Sequence, residues 1–157
     1  MSLFTIFKIS SQGMTAQRER LETAASNLAN AHSTRTSEGG PYRRRDMLFQ
    51  TVPIPPENPF SDSPASPFAG GLFADAQNSA PQGVRVSTEL APADQFIRRF
   101  DPGHPDADAD GYVKLPDVDP LEETVNMISA TRSFEANATA FNTAKELARA
   151  TLKLGES

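Results

Sequence analysis

Residue types and spacing come nearest to metal chemistry in DADADGYVKLPD, Asp106–Asp117. Asp106, Asp108, Asp110 and Asp117 stand at relative positions 1, 3, 5 and 12, with Gly111 at position 6. A helix–loop–helix calcium loop spaces its ligands this way, because a hard divalent cation collects carboxylate and carbonyl oxygens around a tight glycine turn. The match is to spacing alone. RFDPGHP, Arg99–Pro105, sets two prolines and a glycine where the entering helix belongs, and proline breaks a helix interior. Asp117 replaces the longer, bidentate glutamate, and Pro116 precedes it. The stretch reads first as a rigid Asp/Pro/Gly turn that feeds a helix cap. A calcium-responsive binding module on these four aspartates is the alternative.

No other residues are patterned for catalysis. His32 and His104 sit in separate turn-like contexts, where solvent exposure is their ordinary state. The phosphate-binding glycine loops, the His-Glu-x-x-His zinc motif and the Gly-x-Ser-x-Gly elbow are missing. With no cysteine there is no disulfide scaffold, thiolate nucleophile or cysteine zinc site. The expectation is a non-enzyme without a cofactor.

A formal net charge of −5 gives no attraction to nucleic acid or anionic lipid. YRRRD, Tyr42–Asp46, is the one basic cluster and reads as a solvated turn or a subunit contact. No apolar run reaches membrane-spanning length. The start, MSLFTIFKISSQGM, lacks the layout of a cleaved secretory signal. The chain therefore either stays in the cytoplasm or leaves by a route that needs no cleavage.

The elements that must carry any function are set by proline. All 13 prolines lie between Pro41 and Pro120, which predicts a helix, an irregular middle and a second helix. The expected parts are residues 1–36, 37–119 and 120–157. In the first, Phe7, Met14, Leu21 and Leu28 recur every seven residues, with Ser10, Gln17, Ala24 and Ala31 as a small or polar companion seam. A helix from Leu3 to Asn30 would run about 42 Å, with Gly13 as its weak point. In the last part Met127, Phe134, Phe141 and Ala148 recur every seven, with Ala130, Asn137, Ala144 and Thr151 as companions. Asp119 as cap, Pro120 at the first helical position and Glu122 as capping-box partner predict its start. Gly155 predicts its end.

The predicted fold is mainly α, with the terminal helices antiparallel in a coiled-coil-like layer and a small β-containing middle. Strands are expected at Asp46–Ile54 and Gly83–Leu90, with shorter ones at Gln95–Phe100 and Tyr112–Leu115. A flexible Pro/Ser/Ala/Gly insertion is expected at about 56–82. Ser11, Thr15, Thr23, Asn27, Asn126, Ser129, Thr139 and Asn142 leave the outer helix faces neither strongly charged nor strongly apolar. Such faces suit contact with further copies.

LETAASNLANAHSTRT, Leu21–Thr36, resembles the asparagine-rich N-terminal signature of the bacterial flagellar rod and hook proteins. YVKLPDVDPLEETVNMISATRSFEANATAFNTAKELARATLKLG, Tyr112–Gly155, resembles the C-terminal helix of that family, and DPGHPDADADGYV the segment that leads into it in proximal rod members. YRRRDMLFQ resembles the family's link into its middle region. Phe134 departs from the more usual tyrosine, and Thr124 and Leu147 from methionine. The resemblance implies a structural subunit of the basal-body rod. Such subunits pass the flagellar export apparatus without signal cleavage and polymerise in the periplasm into a tube that carries torque from rotor to hook. Its implied partners are copies of itself and other rod subunits, with no nucleic acid and no membrane insertion. The subunit contacts expected on this reading are Phe7, Met14, Leu21, Asn27, Leu28, Asn30, Met127, Phe134, Asn137, Phe141, Asn142, Ala144 and Leu152. The asparagines Asn27, Asn30, Asn137 and Asn142 are candidates for buried bonds that set helix register. A small, acidic, cytoplasmic export adaptor is a further alternative.

Overall fold

The computed structural model describes residues 3–37, 39–54 and 81–155. The expected insertion lies almost wholly outside the described residues, with its apolar Phe60, Phe68, Leu72 and Phe73. The element order is α1 (Leu3–Ala29), β1 (Arg45–Pro53), β2 (Gln82–Leu90), β3 (Phe96–Phe100), β4 (Tyr112–Pro116) and α2 (Pro120–Gly155). Both helices and all four strands fall where proline spacing and patterning put them, within a residue or two at each end.

Local chemistry explains the helix ends. The Asp119 carboxylate accepts the Leu121 amide at 2.8 Å, and Glu122 and Glu123 follow in the first turn of α2, where acids complement the helix dipole. Glu122 turns its Oε1 to Arg44. At the end of α1, Asn30 donates its carboxamide to the Ser26 carbonyl at 2.9 Å and accepts from the Ser33 hydroxyl at 3.2 Å. Asn30 is thus the stop of α1.

The helices pack antiparallel, as paired positions show: Asn27 meets Glu123, Gly13 meets Asn137, and Phe7 stacks obliquely on Phe141 with ring centroids 4.9 Å apart. The deepest positions are the small companions rather than the large heptad residues. Ser10, Ala24, Ala31, Ala130 and Ala144 are buried, while Phe7, Met14, Leu21, Leu28, Met127 and Phe141 flank the seam half-buried. Alanine-sized side chains bring the helices close, and the large ones close over both sides. Gly13 belongs to this logic. A Cβ there would stand 2.9 Å from the Asn137 amide nitrogen, so the helical weak point is the site of closest approach.

At about 1.5 Å per residue, α2 outruns α1 by about 14 Å. Asn27–Glu123 aligns the pair at one end, so the excess is an overhang at the other. Leu152 lies on it, 69% exposed because no α1 stands opposite.

The middle strands form two separate antiparallel hairpins, β1–β2 registered from Arg45↔Leu90 to Pro53↔Gln82 and β3–β4 from Phe96↔Pro116 to Phe100↔Tyr112. A lone two-stranded hairpin is marginal in water. The first is supported by lying along α1, where Gly83 leaves room for the Gln12 side chain against the strand. The second is tied to the segment after α1 through the Thr34 hydroxyl, which donates to Asp106 at 2.7 Å.

Overpacking the closest approach should part the helices. Gly13→Leu is expected to cost about 1–3 kcal/mol despite leucine's better helix propensity. Adding Asn137→Ala should recover part of the loss in thermal unfolding, and equal stability of Gly13→Leu and wild type would contradict the packing.

Candidate functional site

The site that organises the termini is built on Asn27, which is 1% exposed. Its carboxamide pairs with the backbone of Arg45 like a neighbouring strand, donating to the carbonyl at 2.9 Å and accepting from the amide at 3.0 Å. The same oxygen accepts the Tyr42 hydroxyl at 2.9 Å, and the amide also donates to Glu123 at 3.3 Å. One side chain thereby joins α1, the connector into β1 and the first turn of α2.

Glu123 is a carboxylate with a side chain only 3% exposed. A buried charge is tolerable only when paired, and Arg44 pairs it at 3.0 Å while reaching Glu122 at 2.9 Å. Burial works against the Arg44 charge, but the Glu122 bond and the Glu123 and Asp46 carboxylates outweigh it, so its pKa lies above the ordinary arginine value. Arg43 holds the Ala91 carbonyl through Nε and Nη2. The basic cluster is therefore an intramolecular tie from the connector to α2 and to the end of β2, in place of the expected solvated turn.

The other expected contact residues divide. Ala144 is buried in the helix pair, and Asn137 lies over Gly13. Phe134 and Leu152 are 40% and 69% exposed, and Asn142 is exposed. Of the four asparagines, Asn27 makes a buried register bond within the chain, Asn30 ends its helix, Asn137 packs over Gly13, and Asn142 is exposed, with no such bond among the described residues. Spacing could have found Glu123, which stands seven residues before Ala130 in the buried seam, where a lone carboxylate demands a cation.

A second stripe on α2 escaped the heptad reading. Leu121, Val125 and Ile128 are 71%, 58% and 52% exposed, and Leu147 and Leu154 are 58% and 77% exposed. With Arg132, Ala136, Thr139, Thr143 and Ala150, all exposed, they repeat every eleven residues: 121, 132, 143, 154; 125, 136, 147; 128, 139, 150. At 3.6 residues per turn this line falls opposite the buried seam.

The four aspartates do not converge. Asp108 accepts the Tyr112 and Asp110 amides at 2.8 and 3.1 Å and the Arg98 guanidinium at 3.1 Å. Asp106 turns to Thr34 and Asp117 to Gln95. The loop joins two strands, and Gly111, with φ 79°, serves its turn. No group of three His, Cys, Asp or Glu residues among the described residues could hold a metal ion. Nor is any described helix long and apolar enough to cross a membrane.

Comparison with known proteins agrees with this layout. Residues 7–35 match the family described as "Flagella basal body rod protein", and residues 109–154 match "Flagellar basal body rod FlgEFG protein C-terminal". The chain is 39% identical to the flagellar basal-body rod protein FlgC of Borreliella burgdorferi, covering 98% of each chain. It is 39% identical to that of Escherichia coli O6:H1 and 38% identical to that of Bacillus subtilis, covering 99% of this chain and 100% of the relative in both cases.

The buried node and the aspartate loop each make a measurable demand. Asn27→Asp removes the donor to the Arg45 carbonyl and sets a second carboxylate against Glu123. Losing a buried hydrogen-bonded node costs about 3 kcal/mol, and the unfolding midpoint should drop by roughly 6–12 °C. An unchanged midpoint would remove Asn27 as the node. In the β3–β4 loop, the Tyr112 amide above all, with the Asp110 amide and Arg98, holds the Asp108 carboxyl below the ordinary aspartate value against partial desolvation. A depressed folded pKa means the loop's bonds contribute fully above the unfolded value and are lost as pH falls through the folded one. Slowed exchange of the Tyr112 amide should therefore persist at the ordinary aspartate value and be lost as pH falls further, and Asp108→Asn should abolish that pH dependence.

Proposed function

The chain belongs to the FlgC family of flagellar basal-body rod proteins and is a structural, non-enzymatic subunit of the basal-body rod, and we propose that it polymerises through its terminal helices into a tube that transmits torque from rotor to hook. The observation that carries this reading is the exposed eleven-residue stripe on α2. A helix buried on one side by α1 and lined on the other by Leu121, Val125, Ile128 and Leu147 is built for packing on both faces. Its partners are other copies of the chain and other rod subunits. The exposed Phe134, Asn142 and Leu152, the overhang of α2 and the half-buried Phe7, Met14, Leu21, Leu28 and Met127 supply further contact area. An interface that repeats head to tail without closing builds a filament.

The rest of the chain suits such a life. With no cysteine, an unfolded subunit threads a narrow export channel without disulfide errors, and the entropy lost as the ends order on assembly is offset by burial against neighbouring subunits. On this reading the chain passes the flagellar export apparatus without cleavage and reaches the periplasmic segment of the rod.

Charging the outer stripe separates assembly from folding. Val125→Glu with Ile128→Glu alters exposed positions, so the monomer's stability should stay within about 0.5 kcal/mol per site. In cells lacking the native copy, the variant should fail to restore swimming and should be missing from purified basal bodies. Normal swimming with the double variant would sink the proposal.

A further inference from the structure

A cleft of about 340 Å3 opens where α1, β1 and α2 meet, with Arg20, Thr23, Arg44, Glu123 and Asn126 among its walls. Arg44 is committed to three carboxylates. Arg20 is not. This half-buried guanidinium donates Nη2 to the neutral Asn126 carboxamide at 2.9 Å, and among the described residues no carboxylate lies within ion-pair distance of it. Partly withdrawn from solvent, the residue has acquired no counter-charge among the described residues. The group that a planar guanidinium fits best is a carboxylate held by two parallel bonds.

We infer that this cleft receives an aspartate from the β3–β4 loop of a neighbouring copy, with Asp110 pairing to Arg20. This rests on the reading of the chain as a polymerising rod subunit. Local charge complementarity points to a copy as the source, against the mutual repulsion of two chains of net −5: the β3–β4 loop concentrates Asp106, Asp108 and Asp110, and the cleft wall carries the uncompensated Arg20. The loop is held in shape from within: Asp108 is spent on two loop amides and Arg98, and Asp106 on Thr34. The Asp110 side chain remains exposed and outside these bonds. A group presented rigidly loses little entropy on docking. Position agrees as well. The Thr34 bond fixes the loop beside the segment that leaves the C-terminal end of α1, and the cleft lies against the last turns of that same helix. Loop and cleft thus belong to the same end of the helix pair, within reach of each other across neighbouring copies, and such a contact uses two different patches, so it propagates.

The lack of native cysteine makes the test specific. The full chain with Thr23→Cys and Asp110→Cys is expressed in cells lacking the native copy, and basal bodies are purified, mildly oxidised and run without reductant. Disulfide-linked multiples of the chain are expected from the double variant and from neither single one. Charge exchange gives an independent readout. Arg20→Glu and Asp110→Arg should each cut swimming by about fivefold or more, and together restore it to within about twofold, as complementary charges do across an interface. Should Arg20→Glu lower the unfolding midpoint of the free chain, Arg20→Gln with the cross-link remains decisive. Double-cysteine chain recovered in basal bodies without cross-links, or a charge pair no better than its worse member, overturns the contact and leaves the rod reading standing. Wild-type chain missing from basal bodies overturns the rod reading and this contact with it.

Discussion

The structure depends on one buried carboxamide and the charge beside it. Asn27 gives the connector a backbone partner at the point where the chain leaves α1 and turns into β1, and it holds Glu123 at the start of α2. Glu123 would be untenable in that position without Arg44, and Arg44 is delivered by the same connector. Each of the three is therefore a condition for the other two. Apolar burial between two alanine-lined helices is non-directional and tolerates sliding by a turn. A polar node that must be fully satisfied does not, and a single buried polar contact of this kind is the best-attested way to fix register. The node also sets where the overhang begins, because aligning the helices at one end throws all the excess length of α2 to the other.

Much of this was legible in the sequence. Proline placement marked both helices, since the penalty for interior proline is large and local. The Asp119–Pro120 start of α2 was equally plain, because a cap is a contact over two residues. The heptads predicted antiparallel pairing but misranked its layers. Hydrophobicity points to Phe7 and Phe141, whereas depth is set by what lets backbones approach, and that selects Ala24, Ala130, Ala144 and Gly13. The tie from Arg44 to Glu122 and Glu123 spans 78 and 79 residues, and no local rule joins residues so far apart. The eleven-residue stripe was hidden for a different reason. Alanine and threonine interrupt it, and a search for sevens steps across it.

The aspartate loop shows how one spacing serves two purposes. A calcium loop and an ion-free turn both need a carboxylate that accepts amides a few residues ahead, and both need glycine at a positive φ. Asp108 and Gly111 meet those needs here with the Tyr112 and Asp110 amides. The difference lies in the remaining oxygens. In an ion site they point to a common centre, whereas here Arg98, Thr34 and Gln95 draw them apart. The sequence pattern records the shared turn, and only the wider fold records where the other oxygens go.

The two faces of α2 ask for opposite twists. Its buried seam, Glu123, Ala130, Asn137 and Ala144, repeats every seven residues, about 3.5 per turn, and winds a helix pair to the left. Its exposed stripe repeats every eleven, about 3.67 per turn, and winds the other way. A relaxed helix lies between these periods, at about 3.6. Packed on both sides, such a helix cannot satisfy either seam by coiling without losing the other, so the lowest-energy compromise is close to straight. A stack of straight helices resists twisting by compressing one set of contacts while stretching the opposite set. In the tube proposed above, that opposition would couple stiffness to the spacing of small and apolar residues along a single helix.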